Sequence, residues 1–196
     1  MAGWYARLAD VPRIQFQGSP GVDRARLPEA NVRPTSGYAG TLMWPHPDGT
    51  TSASPAHQRA FTDAAPDDVE GLAQWVWEGL EIPGTPSDYH FLLQGAVQTL
   101  WSWRRDQPDG LQFVEVFSYV DLALIEAVPE AAMIDAANPS RGFLRIVTME
   151  RLLVLLEREG AFREAMALCR RVERFGEQYC SDGLASKIDS LDRERL

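Results

Sequence analysis

The stretch FLRIVTMERLLVLLE, residues 143–157, decides the predicted fold. Its apolar side chains recur around nearly the whole circumference of a helix with about 3.6 residues per turn. Because this pattern is typical of a helix surrounded by others, it predicts a central core helix that opens at Pro139 and Ser140 and ends near Glu159. Arg145 interrupts the apolar surface, and we expect it to pair with an opposite charge or to reach water.

Amphipathic helices are predicted on both sides of this element. After Gly160, which stops the central helix, residues 162–175 carry apolar side chains on one face. Upstream, Pro66-Asp67-Asp68 is predicted to start a helix with apolar residues at i, i+3, i+4 and i+7. Ser87 is predicted to cap a second upstream helix, and a short last helix is predicted near residues 184–195.

Residues 111–128 carry two patterns at once. The first part, LQFVEVFSYV, is rich in β-branched and aromatic residues, whereas the following LALIEAV continues at helical spacing. We interpret the whole segment as a helix. Asp121 then falls on its apolar face, so we expect it to find an opposite charge or to reach water, with Arg145 as one candidate partner.

A segment of about residues 146–179 resembles a single tetratricopeptide-type unit. The matching features are two leucines in the first helix, a Glu-Gly turn, and an aromatic followed by a small residue in the second: Leu152, Leu153, Glu159, Gly160, Phe162 and Ala165. The resemblance implies a helical hairpin and the binding of a protein or peptide on a helical surface. The alternative is a generic antiparallel helical hairpin within a globular core.

The N-terminal part differs in composition from the rest of the chain. Residues 1–55 hold seven of the thirteen prolines and six of the fifteen glycines, which exclude a long helix there. Short strands are predicted at Arg13–Gln17 and Tyr38–Trp44. We therefore expect a mostly α fold, a helical bundle or tetratricopeptide-like helical array at residues 56–196, preceded by an extended, largely irregular arm at residues 1–55.

Composition excludes several classes of partner. The net charge of -9 disfavours nucleic acid and anionic lipid surfaces, since both bind basic proteins, and it favours a basic partner. No stretch has the length of apolar sequence that a membrane span needs. The two cysteines fit reduced thiols of the cytoplasm. Eighteen of the nineteen basic residues are arginine, a bias that suggests GC-rich bacterial or phage coding.

No catalytic or cofactor motif occurs in the chain. Its three histidines, His46, His57 and His90, are scattered, and none belongs to a metal-binding HExxH pattern. A phosphate-binding Walker loop, a GxGxxG loop and a GxSxG nucleophile elbow are also missing. We therefore expect no cofactor and no metal site.

Three features are candidate partner-binding sites. The string Trp44-Pro45-His46-Pro47 places an aromatic ring and an imidazole on a backbone stiffened by proline. Trp75 and Trp101 lie off the apolar stripes of their helices and are predicted to face away from the core, where the arm or a partner covers them. A basic stripe follows the second hairpin helix and is suited to acidic groups, although a solvated face is the alternative: Arg163, Arg170 and Arg174.

These observations support three hypotheses. The first is a non-enzymatic protein-interaction module, either a helical adaptor or an acidic inhibitor-like protein, that binds a protein or peptide partner. The second is a structural subunit of a larger assembly, such as a phage or protein-shell component. The third is a small enzyme that uses His46 or His90, which requires a pocket containing a histidine with a carboxylate in hydrogen-bond reach.

Overall fold

The structure, a computed structural model, describes residues 31–35, 38–45, 48, 51–82, 84–180 and 183–194. The protein is mostly helical, as predicted. Seven α-helices lie within this part of the chain: α1 Pro55–Ala60, α2 Val69–Gly79, α3 Pro86–Trp103, α4 Leu111–Ala127, α5 Val147–Arg158, α6 Phe162–Val172 and α7 Leu184–Glu194. The helical interpretation of residues 111–128 is therefore confirmed.

Three short strands precede the helices. They form an antiparallel sheet in the order β1 (Asn31–Thr35), β2 (Tyr38–Pro45) and β3 (Thr51–Ser52). The pairing of β1 with β2 shifts between Arg33 and Thr35, and the intervening residue is a proline, which has no amide hydrogen to donate. The predicted strand at Tyr38–Trp44 is confirmed, while the one at Arg13–Gln17 lies outside the described residues.

Side-chain caps explain where two of the helices begin. Asp68, which belongs to the acidic segment predicted to start this helix, accepts a hydrogen bond from the backbone amide of Gly71 and caps α2. The cap of α3 is Thr85 rather than the predicted Ser87, because Thr85 and Asp88 bond each other's backbone amides in a capping box. Proline at the next position suits the first turn of a helix.

The central helix predicted from residue 139 begins later than expected. Residues 139–141 form a separate 3-10 turn, Gly142 follows with a φ of 76°, and Phe143 forms an isolated antiparallel bridge with Met133. These contacts hold the backbone out of the helix until Val147. Val154 is 41% exposed. Protein therefore does not cover the apolar surface of α5 on every side.

The longest buried stretch belongs to α4 instead. All residues from Val120 to Ile125 are buried, including Asp121, and Phe117 has no exposed surface. Most of the β-branched and aromatic residues that made this segment ambiguous are buried in the core: Val114, Val116, Phe117 and Val120. α3 packs against α4 as well as against α1 and α2, so the core of this part of the chain lies around α3.

The chain divides into two compact units, Met1–Thr148 and Met149–Leu196. In the second unit, α6 packs against α7. The turn before α6 contains Gly160 at a φ of 74°, a conformation that glycine adopts without a side-chain clash. None of the helices in the described residues is long and apolar enough to cross a membrane.

Candidate functional site

The main candidate site is a groove on the first unit, between α2 and the start of α4. Its volume is about 360 Å³, within the range of small-ligand sites, and its lining combines apolar with acidic side chains: Glu70, Ala73, Gln74, Trp77, Glu78, Glu81 and Phe113. We call it the acidic aromatic groove. Residues 70, 74 and 77 share one face of α2 because they follow each other at helical spacing of four and three, and Glu81 lies in the turn after the helix.

Aromatic stacking fixes the floor of the groove. The ring of Trp77 meets the buried ring of Phe117 edge-on at a centroid distance of 5.1 Å. Phe113 stacks on the same Phe117 ring at 5.7 Å. Both outer rings are partly exposed, whereas Phe117 is not. One core aromatic thus holds two groove aromatics in a set geometry, which is the preorganisation that binding sites need.

The rim of the groove is negatively charged. Glu70 and Glu78 are exposed and Glu81 is partly exposed. Glu78 accepts hydrogen bonds from Gln74 Nε2 at 2.8 Å and from Arg59 Nη2 at 2.6 Å, and these bonds, that of Gln74 first, lower the pKa of Glu78 below its ordinary value. This carboxylate therefore stays charged at neutral pH.

Trp75, predicted to face a partner or the arm, has a partner on its own chain. The guanidinium carbon of Arg59, on α1, lies 4.0 Å from the centroid of the Trp75 ring, while the same group bonds Glu78. The ring is partly exposed. Trp75 thus lies off the core as expected, with an arginine over its face.

Trp101, the other tryptophan predicted to face the arm or a partner, is covered. Its side chain is buried, with only 8% of its surface exposed, and the guanidinium of Arg104 lies 4.9 Å from its ring centroid. That the arm or a partner covers this ring stays a prediction. Trp44 belongs to β2, and His46 lies outside the described residues.

The predicted basic stripe lies on α6 and the turn after it. Arg163 pairs with Asp192 on α7, Arg170 is exposed, and the guanidinium of Arg174 lies 4.6 Å from the ring of Phe175. The structure places all three arginines in the second unit, where two of them engage their own chain. Their binding to an acidic partner stays a prediction.

A second groove, of about 340 Å³, lies beside α6 and α7. Its lining is formed by Phe162, Ser186, Lys187, Ser190 and Leu191. Lys187 bonds Glu157 and lies 5.6 Å from the ring of Phe162. Its charge is thus balanced within the chain, and the groove offers less charge for recognition than the acidic aromatic groove.

Two of the histidines pair with aspartates, both in the first unit. His90 Nδ1 lies 2.7 Å from Asp121 Oδ1, and Thr148 donates a hydrogen bond to the other oxygen of that carboxylate. All three residues have no exposed surface. Asp121 therefore has partners, as expected, but they do not include Arg145, which is exposed. Since His90 is fully enclosed, its ring offers no surface to a substrate.

His57 forms the second pair. Its Nδ1 lies 2.9 Å from Asp88 Oδ1, and Ser54 donates a hydrogen bond to the other oxygen of Asp88 at 2.8 Å. In an acyl-transfer triad the serine would bond the histidine instead, so this serine is not arranged as a nucleophile. Neither of the two grooves described above contains a histidine.

Sequence reasoning did not single out the acidic aromatic groove. It assigned no binding role to Trp77, Phe113 or the glutamates. The helical spacing of Glu70, Gln74 and Trp77 was an available signal. The approach of Phe113 from α4 was not, since it depends on tertiary packing around Phe117.

Comparison of the chain with models of known protein families, with curated proteins and with solved structures finds no match to any of them.

Proposed function

We propose that the protein is a non-enzymatic interaction module that binds a basic protein or peptide through the acidic aromatic groove. The observation that carries the proposal is the combination of two partly exposed aromatic rings, Trp77 and Phe113, with a rim of three glutamates. Aromatic side chains are the usual anchors of protein interfaces, and a charged rim selects partners by complementarity.

The charge of the whole chain supports the same partner class. A net charge of -9 attracts basic partners over a distance of about one Debye length, roughly 8 Å at physiological salt. It also disfavours nucleic acids and anionic membranes. The proposal includes a cytoplasmic site of action, which is consistent with two cysteines that form no disulfide with each other, Cys169 and Cys180.

Catalysis by His90 is less well supported, because no surface of that side chain is exposed. The side chains that line the acidic aromatic groove, by contrast, are exposed or partly exposed, apart from that of Ala73. Of the three hypotheses, the interaction module is the one for which the described residues supply a site.

The test is an array of random peptides of equal length in basic, neutral and acidic pools, probed with the labelled full-length chain. We expect binding to the basic pool, its loss in Trp77→Ala, and its retention in Val154→Ala, a control that changes an exposed side chain in the other unit. Glu70→Lys reverses an exposed rim charge without disturbing the core, and it should also abolish binding. Binding that ignores peptide charge, or that survives both groove variants, would overturn the proposal.

A further inference from the structure

We propose that the first unit carries a second binding site, at the end of α1, which takes the side chain of a tyrosine of a partner protein. The ring of this tyrosine packs on the exposed ring of Phe61, and its hydroxyl donates a hydrogen bond to Nε2 of His57. Neither of these two residues lines the acidic aromatic groove, so the inference goes beyond the proposed function and does not depend on it.

The imidazole of His57 is held in a set orientation by Asp88. Its Nδ1 lies 2.9 Å from Asp88 Oδ1, while the other oxygen of this buried carboxylate accepts hydrogen bonds from the hydroxyl of Ser54 and the backbone amide of Thr85, both at 2.8 Å. Because a carboxylate only accepts, the hydrogen of the neutral imidazole lies on Nδ1 and the lone pair on Nε2. The structure thus directs a hydrogen-bond acceptor away from Asp88.

This acceptor is accessible to a ligand. Nε2 of His57 has no hydrogen-bond partner among the described residues, and 31% of the side chain is exposed. The pair with Asp88 therefore differs from that of His90 with Asp121, in which the imidazole is fully enclosed. An acceptor on an oriented, partly exposed ring is complementary to a hydrogen-bond donor of a partner.

An aromatic surface lies beside the acceptor. Phe61 directly follows α1 and is 58% exposed, the most exposed large apolar side chain among the described residues. Its ring centroid lies 4.6 Å from that of His57 and 5.4 Å from that of Phe91, which is itself partly exposed. A ligand ring that packs on Phe61 can therefore place a polar group at its edge next to His57.

Tyrosine supplies both a ring and a donor. Covering the exposed ring of Phe61 favours an aromatic group, and the lone pair of His57 favours an O–H or N–H group on it. Hydroxyl donors form shorter hydrogen bonds than N–H donors, which favours tyrosine over tryptophan. A phenylalanine would leave the acceptor without a donor.

A cationic side chain fits the site less well than tyrosine. The carboxylate of Asp88 is buried and is already bonded to three donors, so it is not offered to a lysine or an arginine. A cation that packs on Phe61 would lose part of its hydration without gaining this carboxylate as a partner. The neutral phenol loses less on leaving water.

The test compares three blocked amino acids: N-acetyltyrosinamide, its O-methyl ether and N-acetyllysinamide. The ether keeps the ring but loses the donor. Binding to the full chain is followed at about pH 8, where an imidazole is ordinarily neutral, by ¹³C NMR of the histidine rings. The His57 signal is assigned from its nuclear Overhauser contacts with the Phe61 ring. We expect the tyrosine compound to shift this signal and to bind about 3–10-fold more tightly than the other two.

Two variants separate the role of the ring from that of the acceptor, with binding followed by saturation transfer to the compounds. Phe61→Ala should weaken binding of the tyrosine compound by about 3-fold or more, whereas Val154→Ala, which trims the other exposed large apolar side chain, should not change it. His57→Phe keeps a ring without the acceptor, so the tyrosine compound and its ether should bind it equally well. If His57→Phe does not fold, the comparison on the unaltered chain decides.

Equal binding of the tyrosine compound and its ether to the unaltered chain would overturn the inference. So would tighter binding of the lysine compound, or the absence of a saturable shift at His57. These outcomes leave the proposed function intact, because the basic-peptide test depends on Trp77 and involves neither His57 nor Phe61.

Discussion

His90 Nδ1 lies 2.7 Å from Asp121 Oδ1, and neither side chain has any exposed surface. Thr148 bonds the second carboxylate oxygen, so both oxygens of Asp121 have a donor. By contrast, the Nε2 atom of His90 and the hydroxyl of Ser118 have no hydrogen-bond partner among the described residues. A buried polar cluster of this kind is costly to disturb, since each group left without a partner is also cut off from water.

We predict that Asp121→Ala lowers the free energy of unfolding by about 3–5 kcal/mol, because it leaves His90 and Thr148 buried without their acceptor. Urea unfolding followed by circular dichroism measures the change. Arg105→Ala, at an exposed position, is the control and should alter the free energy of unfolding by no more than about 0.5 kcal/mol. Equal effects of the two substitutions would contradict the prediction.

The two carboxylates at the starts of α2 and α3 should differ in their contribution to stability. Asp88 is buried and bonds Ser54, His57 and the amide of Thr85, whereas Asp68 is exposed and bonds only the amide of Gly71 among the described residues. We expect Asp88→Ala to cost about 3 kcal/mol of unfolding free energy and Asp68→Ala about 1 kcal/mol. Denaturant titrations of both variants check the order, and the reverse order would show that the buried bonds contribute little.

Stability should depend on pH through Glu78. Its pKa is lowered in the folded protein by its hydrogen bonds to Gln74 and Arg59, so the unfolded chain binds the proton more readily. This contribution is fully present above the ordinary pKa of glutamate and is lost as the pH falls through the lowered value. We expect Glu78→Gln to reduce the loss of stability between about pH 5 and pH 3, measured by urea unfolding at each pH. Parallel pH profiles for the two proteins would rule this out.

Two glycines provide a matched pair of substitutions. A Cβ atom at Gly84 would lie 2.4 Å from the Cβ of buried Ala56, whereas at Gly95, within α3, it would meet nothing within 4 Å. We predict that Gly84→Ala destabilises the protein by about 1–3 kcal/mol and that Gly95→Ala stabilises it by about 0.5–1 kcal/mol. The melting temperature should fall in Gly84→Ala and rise in Gly95→Ala. A change in the same direction for both variants would contradict the prediction.

The helices were predictable from the sequence because the spacing of their apolar residues matches the faces that they bury. Residues 162–175 show helical spacing of apolar residues, as does the second part of residues 111–128, and both segments contain helices in the structure. The start of α5 was not predictable in this way. Residues 143 and 144 continue the apolar pattern of the helix, but backbone contacts with residues 132 and 133 hold them outside it. The spacing of apolar residues does not reveal these contacts.

Little of the candidate site was predictable from the sequence. The acidic balance of the chain is the basis for proposing a basic partner, and helical spacing placed Trp75 and Trp101 off the apolar stripes. Which ring lines a groove depends on neighbours that spacing does not identify. Arg59 covers Trp75, and Phe117 positions Trp77, and both contacts come from other helices.

The two histidine–aspartate pairs have a joint consequence for α3, which contributes Asp88 to one and His90 to the other. Residues two apart on a helix point roughly 200° apart, so the pairs engage α3 from opposite sides. Rotating α3 by one position about its axis would separate the histidine from the aspartate in both pairs. The apolar contacts bring α3 into the core, and the two polar pairs select a single rotational setting for it.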